Sequence, residues 1–384
     1  MHPMADVMTP KQRMAHAMRR EKTDRVPVMC QMSIGHMLLQ TGFSPMEFWL
    51  SVEAFAEGLL RMREVYGFDG ILISLHGHSS DWPRRARKIE RLGEEEVVWW
   101  KNGSRTVFPQ DDLPRHYSVR HKPVLDPSEV DPSLLPETLD YIPVSQGLDF
   151  PVDPDHSYDI FDHVIAGAGH RVSIHGEVAS PFDYFLHLFG FSNALVNLLE
   201  APQVCEEVLR RLAEGVKRIA LGQVEKGIDA LKISSPYAGS GFISPQLYRR
   251  FVLPFESRIV DAVKSQGVPV YLHTCGAISD RLEMMIESGI SGLECLDPPP
   301  LGDVSLKDAK ARIGGKVFIK GNIDPVHVLL NGALSDIEAD AVRRINIGMP
   351  GGGYILSSAC SIAPHTPREN IQVLLQLAEE RGRY

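Results

Sequence analysis

The chain is poor in cysteine, in long apolar runs and in surplus positive charge. Its 384 residues include five cysteines (Cys30, Cys205, Cys275, Cys295, Cys360), an odd number with no C-x-x-C pair. That pattern excludes a disulfide framework and a closed four-cysteine metal site, and it points to a reducing compartment. No apolar run is long enough to cross a bilayer, and the N-terminus lacks the apolar core of a secretion signal. With 40 Lys and Arg against 49 Asp and Glu, the formal net charge is -9. Nothing in that balance favours nucleic acid or an anionic membrane, and the short run Arg84-Arg85-Ala86-Arg87-Lys88 reads as a solvated face. Fixed-period repeats and low-complexity tracts are missing as well. What is left, at 43% hydrophobic and 23% charged residues, is the composition of a soluble globular protein, expected in the cytoplasm.

Apolar, β-branched runs alternate with amphipathic stretches along the chain. The predicted strands are Arg25–Cys30, Asp69–Leu75, Arg171–His175, Asp229–Ser234, Val268–His273, Ile290–Cys295, Lys316–Lys320 and Gly353–Ser358. Helical spacing is read over Ser51–Tyr66, Pro202–Lys226, Pro245–Gln266, Ser279–Ser288 and Asp336–Ile347. Strands each followed by a helix or helix-like connection predict an α/β fold, a distorted (β/α)₈ TIM-type barrel, as a single domain over 1–384. The alternation breaks at about 81–164, a stretch rich in proline and charge. It is predicted to be an insertion after the second strand, with a hairpin of Glu96–Trp100 and Arg105–Phe108 about a tight Asn102-Gly103 turn. One ring of the pair Trp99-Trp100 is expected to pack on the barrel.

In such barrels the active site forms at the C-terminal ends of the strands. Those ends carry His76 and His78, His175 and Glu177, Ser234, Ser235 and Tyr237, and His273 and Cys275. Glu294 and Asp297, Asn322 and Asp324, and finally Cys360 complete the set. The segment V-P-V-Y-L-H-T-C-G (268–276) stands out. Residues two apart on a strand share a direction, so His273 and Cys275 offer an imidazole and a thiolate side by side, half of a zinc site. Cys360 follows its own apolar run and supplies a third ligand. Three protein ligands with an open fourth position describe a catalytic zinc. A lone H-x-C pair is also compatible with a cysteine packed as a small hydrophobe, and the G-N-I-D-P turn at Asn322 and Asp324 with mere loop shaping. Cys205, in a helical stretch, reads as core.

The chain resembles the uroporphyrinogen decarboxylase superfamily along nearly its whole length. The matching segments are Arg13–Val28, Ile243–Pro254 (I-S-P-Q-L-Y-R-R-F-V-L-P), Leu272–Gly276 (L-H-T-C-G), Ile319–Pro325 (I-K-G-N-I-D-P) and Gly351–Pro367, the last being the most specific. The resemblance implies a distorted (β/α)₈ barrel. Decarboxylases of this superfamily hold a polycarboxylate tetrapyrrole, without metal, through arginine after the first strand. Here that segment reads V-P-V-M-C-Q-M-S-I-G-H-M, with Met32 where substrate is expected and no arginine between Val26 and Leu60. Without guanidinium donors the acidic porphyrinogen loses its anchor.

The other branch comprises zinc-dependent corrinoid methyltransferases, similar to methylcobamide:coenzyme M methyltransferase and to O-demethylating methyltransferases. Their H-x-C and distant cysteine fall on His273, Cys275 and Cys360. The run G-L-E-C-L-D-P-P-P-L-G-D (292–303) further resembles the methyl-ether demethylases. The resemblance implies methyl transfer between a small methylated substrate, best an aryl methyl ether, and a corrinoid. The chain has no D-x-H-x-x-G cobalamin motif, so the corrinoid is expected on a separate docking protein. Zinc suits this chemistry as a Lewis acid on a departing oxygen, or as the holder of a thiolate in the reverse direction. His76, His78 and His175 are the expected proton donors, and Tyr237, Asn322 and Asp324 the expected orienting groups. Glu294 or Glu177 is expected at the fourth zinc position when substrate is absent. The alternatives are methylcorrinoid-to-thiol or pterin transfer, metal-free uroporphyrinogen decarboxylation, and a non-catalytic tetrapyrrole- or metal-binding protein. A homodimer is the expected assembly if the chain associates at all.

Overall fold

A computed structural model describes residues 7–119 and 125–384. The chain enters through the helix Pro10–Met18, which a capping box between Thr9 and Gln12 starts. After β1 (Gly70–Ile73) it leaves the barrel for β2 (Ala86–Leu92), β3 (Glu95–Trp100), β4 (Arg105–Phe108), β5 (Arg115–Tyr117), β6 (Tyr141–Val144) and β7 (Leu148–Pro151). It then returns through β8 (Ser173–Ala179), β9 (Ala230–Ser234), β10 (Val270–Thr274), β11 (Gly292–Cys295), β12 (Phe318–Ile323) and β13 (Tyr354–Ser358). The seven barrel strands lie in the order β1-β8-β9-β10-β11-β12-β13, all parallel.

The eighth position belongs to the first predicted strand, 25–30, which is held by bridges rather than a continuous ladder. Leu356 N donates to Pro27 O at 2.9 Å and Met29 N to Leu356 O at 3.1 Å on one side, while Asp69 N donates to Val28 O at 2.8 Å on the other. Pro27 has no N–H, so this segment cannot run a full ladder against either neighbour. It nonetheless closes the ring between β13 and β1, and the fold is a distorted (β/α)₈ barrel. Met14, Ala17 and Met18 of the entry helix pack against Met29, Tyr271 and Phe318 and seal the lower end of the barrel.

Several element bounds differ from the sequence reading for physical reasons. The stretch 245–266 forms two helices, Pro245–Phe251 and Leu253–Lys264, broken at Val252 because Pro254 cannot continue the first ladder. Within the expected insertion, β2 to β5 form a four-stranded antiparallel sheet and β6 pairs with β7. Trp100 packs on the main core. The helix Asp159–Ala168, read from the sequence as insertion, belongs to the barrel layer and contacts the helix Val52–Tyr66. The helix Pro181–Phe189 had no sequence signal. Phe182, Tyr184, Phe185, Leu186 and Phe189 make it mostly apolar and buried, with Asp183 and His187 as its polar side chains.

Candidate metal centre and cavity

His273 is the fourth residue of β10, and its imidazole points into the barrel beside Glu294 of β11, its register partner. Cys275 follows the strand end and Cys360 follows β13. The structure brings one atom from each to within 4.8 Å of the others. His273 Nε2 lies 3.2 Å from Cys275 Sγ, and the two sulfurs are 3.7 Å apart. Hydrogen bonds from Cys275, Cys295 and His273 hold the Cys360 thiol well below its ordinary range. Burial and Lys232 oppose charge on His273, but the two thiols outweigh them and raise its pKa. Two sulfurs and an imidazole nitrogen gathered at one point form a soft donor set that fits a thiolate-preferring divalent ion such as zinc.

The other ring nitrogen fixes the ligand's orientation. His273 Nδ1 is 3.0 Å from Glu294 Oε2, which leaves Nε2 free toward the sulfurs. Glu294 also pairs with Lys320 Nζ, and with Lys232 Nζ at 3.6 Å. Burial works against its charge, but the two lysines dominate and hold Glu294 well below the usual carboxylate range. Its oxygens are therefore committed, and it sits behind the imidazole. This corrects the expectation that Glu294 can take the fourth zinc position. Lys232 is opposed by its own burial, yet Glu177 and Glu294 push it up to about 12. Glu177 lies 3.1 Å from Lys232 through Oε1, while its Oε2 is buried without a partner.

Above this centre opens a cavity of about 970 Å³. Glu177, Tyr237, Met32 and Cys360 are on its wall, so four of the expected site residues meet there. Tyr237 packs edge-on to Phe191 and Phe242, at 5.2 and 5.5 Å between ring centres. Among the described residues the wall carries acids (Glu177, Asp111, Asp112, Asp149, Asp183) and His187, but no lysine or arginine.

Five expected site residues lie elsewhere. His76 bonds the Ser157 carbonyl at 2.9 Å through Nδ1 and stacks on Tyr158. His78 is wedged between Phe55 and Phe150 with neither nitrogen partnered. His175 is inside the barrel, bonded to Ser173 and Tyr271 at 3.0 Å each, because β8 runs four residues past the predicted strand end. Burial pushes these imidazoles down, His76 to about 4 and His78 and His175 to about 3. They are neutral at pH 7 and are not on the cavity wall, which corrects their reading as proton donors. Asn322 is buried within β12, which extends three residues beyond the predicted strand. It donates to Leu296 O at 2.6 Å and accepts from Arg344. Asp324 caps the following helical turn through Val326 N and His327 N at 2.8 Å each. Both are structural supports where orienting groups were expected.

Sequence reasoning also missed residues. Lys232 and Lys320, each the inward residue of an apolar strand (A-L-K-I-S and F-I-K-G-N-I), were legible as buried charges needing partners. Cys295 forms a second triple with Cys275 and Asp297, its thiol pushed up by burial. Asp183 and His187 ride on the helix that had no signal.

A family model described as uroporphyrinogen decarboxylase (URO-D) matches residues 127–381. The chain belongs to the uroporphyrinogen decarboxylase family. A methylcobamide:CoM methyltransferase, MtbA of Methanosarcina mazei, is 25% identical over 375 residues, covering 97% of this chain and 98% of that protein. A uroporphyrinogen decarboxylase of Nostoc punctiforme is 30% identical over 183 residues, 47% of this chain and 48% of its own. Among solved structures, a methyltransferase from Methanosarcina mazei superposes with a TM-score of 0.72 at 21% identity, over 97% of this chain and 99% of that one, and so shares the fold. Among the described residues no helix is long and apolar enough to cross a membrane.

Proposed function

We propose that this family member is a zinc-dependent methyltransferase that exchanges a methyl group between a small substrate and a corrinoid carried by a partner protein. The convergence of His273 Nε2, Cys275 Sγ and Cys360 Sγ beside a large cavity carries this reading. The full-length likeness to a methylcobamide:CoM methyltransferase supports the reaction class. His273, Cys275 and Cys360 would hold the zinc, which when bound supplies a Lewis acid for an oxygen or sulfur that gains negative charge. The chain's own contribution is placement. Glu294 holds the imidazole, the apolar wall around Met32 and Tyr237 receives an organic group, and His273 is buried while Cys360 opens onto the cavity.

The preferred substrate is an uncharged aryl methyl ether. Described cavity residues bearing only acidic charge disfavour an anionic occupant, whether a polycarboxylate tetrapyrrole or a sulfonated thiol. Transfer from a methylcorrinoid to a thiol is the second reading, favoured by the full-length relative's activity.

Metal analysis of the purified protein tests the proposal. About one zinc per chain is expected, lost in His273→Ala, Cys275→Ser and Cys360→Ser, after which methyl donors and thiols are assayed with a reduced corrinoid protein. Metal-free protein from a chelator-free preparation, with the variants folded normally, overturns it. Zinc without turnover on any donor or acceptor would instead indicate a metal-binding protein on a retained barrel.

A further inference from the structure

An ether oxygen that loses its methyl group departs more easily if it takes a proton, and the histidines once expected to supply one lie elsewhere. On the cavity wall the carboxyl of Asp183 is placed for that role. Asp183 is in the first turn of the helix Pro181–Phe189, directly after the Ser180 cap. It is on the cavity wall yet only 7% exposed. Ser180 Oγ donates to its Oδ2 at 3.1 Å, while Oδ1 is buried with no partner. Among the described residues no lysine, arginine or histidine pairs with it.

Of the titratable groups facing Asp183, Glu256 makes its charged form costlier still. Glu256 approaches from the helix Leu253–Lys264, Tyr237 from the segment after β9, Tyr184 from its own helix, and His273 from β10. Ser180, through its hydrogen bonds, and His273 favour a carboxylate. A carboxylate removed from water without a cation is expensive, so the neutral acid is the stable form. Burial raises the Asp183 pKa well above the ordinary range, against the Ser180 hydrogen bond and with Glu256 adding to the rise. Behind it the hydroxyls of Ser180 and Ser235 are 3.1 Å apart. Burial pushes Glu256 beyond them up to about 7, with Ser235 and Tyr248 opposing.

We propose that Asp183 is the proton donor to the departing oxygen of a methyl ether bound in the cavity, an inference that rests on the methyltransferase reading. The oxygen–methyl bond breaks with its electron pair left on oxygen, and the methyl carbon bonds to the reduced corrinoid of the partner. The carboxyl O–H bond of Asp183 breaks and its proton goes to that oxygen, giving a neutral phenol or alcohol. The resulting carboxylate recovers a proton from water entering the cavity. Asp183 is thus a catalytic residue that touches substrate, in the role that keeping a carboxylic acid neutral makes available.

The test compares wild type with Asp183→Asn on phenyl methyl ethers whose ring substituents span a wide range of phenol acidity. Loss of general-acid help is expected to slow the poorest leaving groups by roughly a hundredfold to ten-thousandfold. The loss should shrink toward none for the best. A uniform loss across the series, or no loss, overturns the proposal while leaving the methyltransferase reading in place. A wild type that moves methyl from no ether overturns the proposal together with the ether substrate, and transfer to a thiol, assayed separately, then decides the methyltransferase reading. Infrared spectra of unliganded, metal-free protein give a readout apart from activity. A protonated-carboxyl band is expected at pH 7 and should lose intensity in Asp183→Asn, the remainder coming from Glu256, whereas identical spectra overturn the assignment. If Asp183→Asn fails to fold, Asp183→Thr keeps a hydroxyl beside Ser180 and must show the same leaving-group dependence.

Discussion

Glu294 illustrates how one side chain can serve stability and chemistry together. It meets Lys320, Lys232 and His273 with its two oxygens, all of them nearly sealed from water. Replacing it by glutamine leaves the buried ammonium of Lys320 without its countercharge and Lys232 with Glu177 alone, a change that costs about 3–5 kcal/mol. It also frees the His273 ring to turn, and loss of such a supporting carboxylate lowers metal affinity roughly tenfold to a hundredfold. Glu294→Gln should therefore show both effects, in urea unfolding and in zinc competition against a chromophoric chelator. An unchanged zinc affinity would refute the orienting role. The pH dependence follows from the direction of the shift. The folded pKa lies below the unfolded value of about 4.3, so between the two the unfolded chain binds more protons. The stability Glu294 contributes is whole above that unfolded value and drains away as pH falls through the folded one. Acid unfolding of Glu294→Gln should lack that component.

At the scale of elements, the segment after β1 shows where a strand-end rule fails. It was expected to lift His76 and His78 to the mouth. Instead Gly77 adopts φ +80 and accepts a hydrogen bond from Asp153 N at 2.8 Å, so the segment turns under the insertion. His78 ends beside Phe150 of β7, with both nitrogens unpartnered. Ser74 and Leu75, just before the turn, do reach the cavity. Strand identity was thus legible from apolar runs, whereas the residue at which each strand stops depends on partners distant in sequence. The same is true of β8 and β12, whose extra residues withdrew His175 and Asn322 from the mouth. His78→Leu, close in volume and free of unsatisfied nitrogens, should stabilise the fold by about 1–3 kcal/mol at pH 7. The gain should grow as pH falls below about 6.5, because the unfolded wild type then takes up a proton that the folded imidazole, depressed to about 3 by burial, refuses. Urea unfolding at pH 7 and pH 5 checks this, and a destabilised variant would mean that the nitrogens have partners after all.

For the whole molecule, what the sequence conveyed was the order of the parallel strands and the two strand ends that complete the centre. Cys275 and Cys360 are 85 positions apart yet 3.7 Å apart in space, because β10 and β13 are walls of one closed ring. What it did not convey was anything set by packing between layers, such as the bridge-held segment at 26–30 or the helix bearing Asp183. Closure also couples metal to fold. The ligands come from two strand ends separated by β11 and β12, so a bound ion ties together elements that unfolding must separate. Binding to the folded state alone stabilises by RT ln(1 + [L]/Kd), about 4.1 kcal/mol at a thousandfold excess over Kd. With an unfolding entropy of roughly 2.1 cal/mol/K per residue over a chain this long, that amounts to a rise of about 5 °C in Tm. Chelation of the zinc-loaded protein should lower Tm by that order in wild type and leave Cys360→Ser unmoved. The chelator effect should weaken as pH falls, because protons compete with the ion for the thiolates and imidazole. Equal chelator shifts in wild type and Cys360→Ser would place the stabilising metal somewhere other than between β10 and β13.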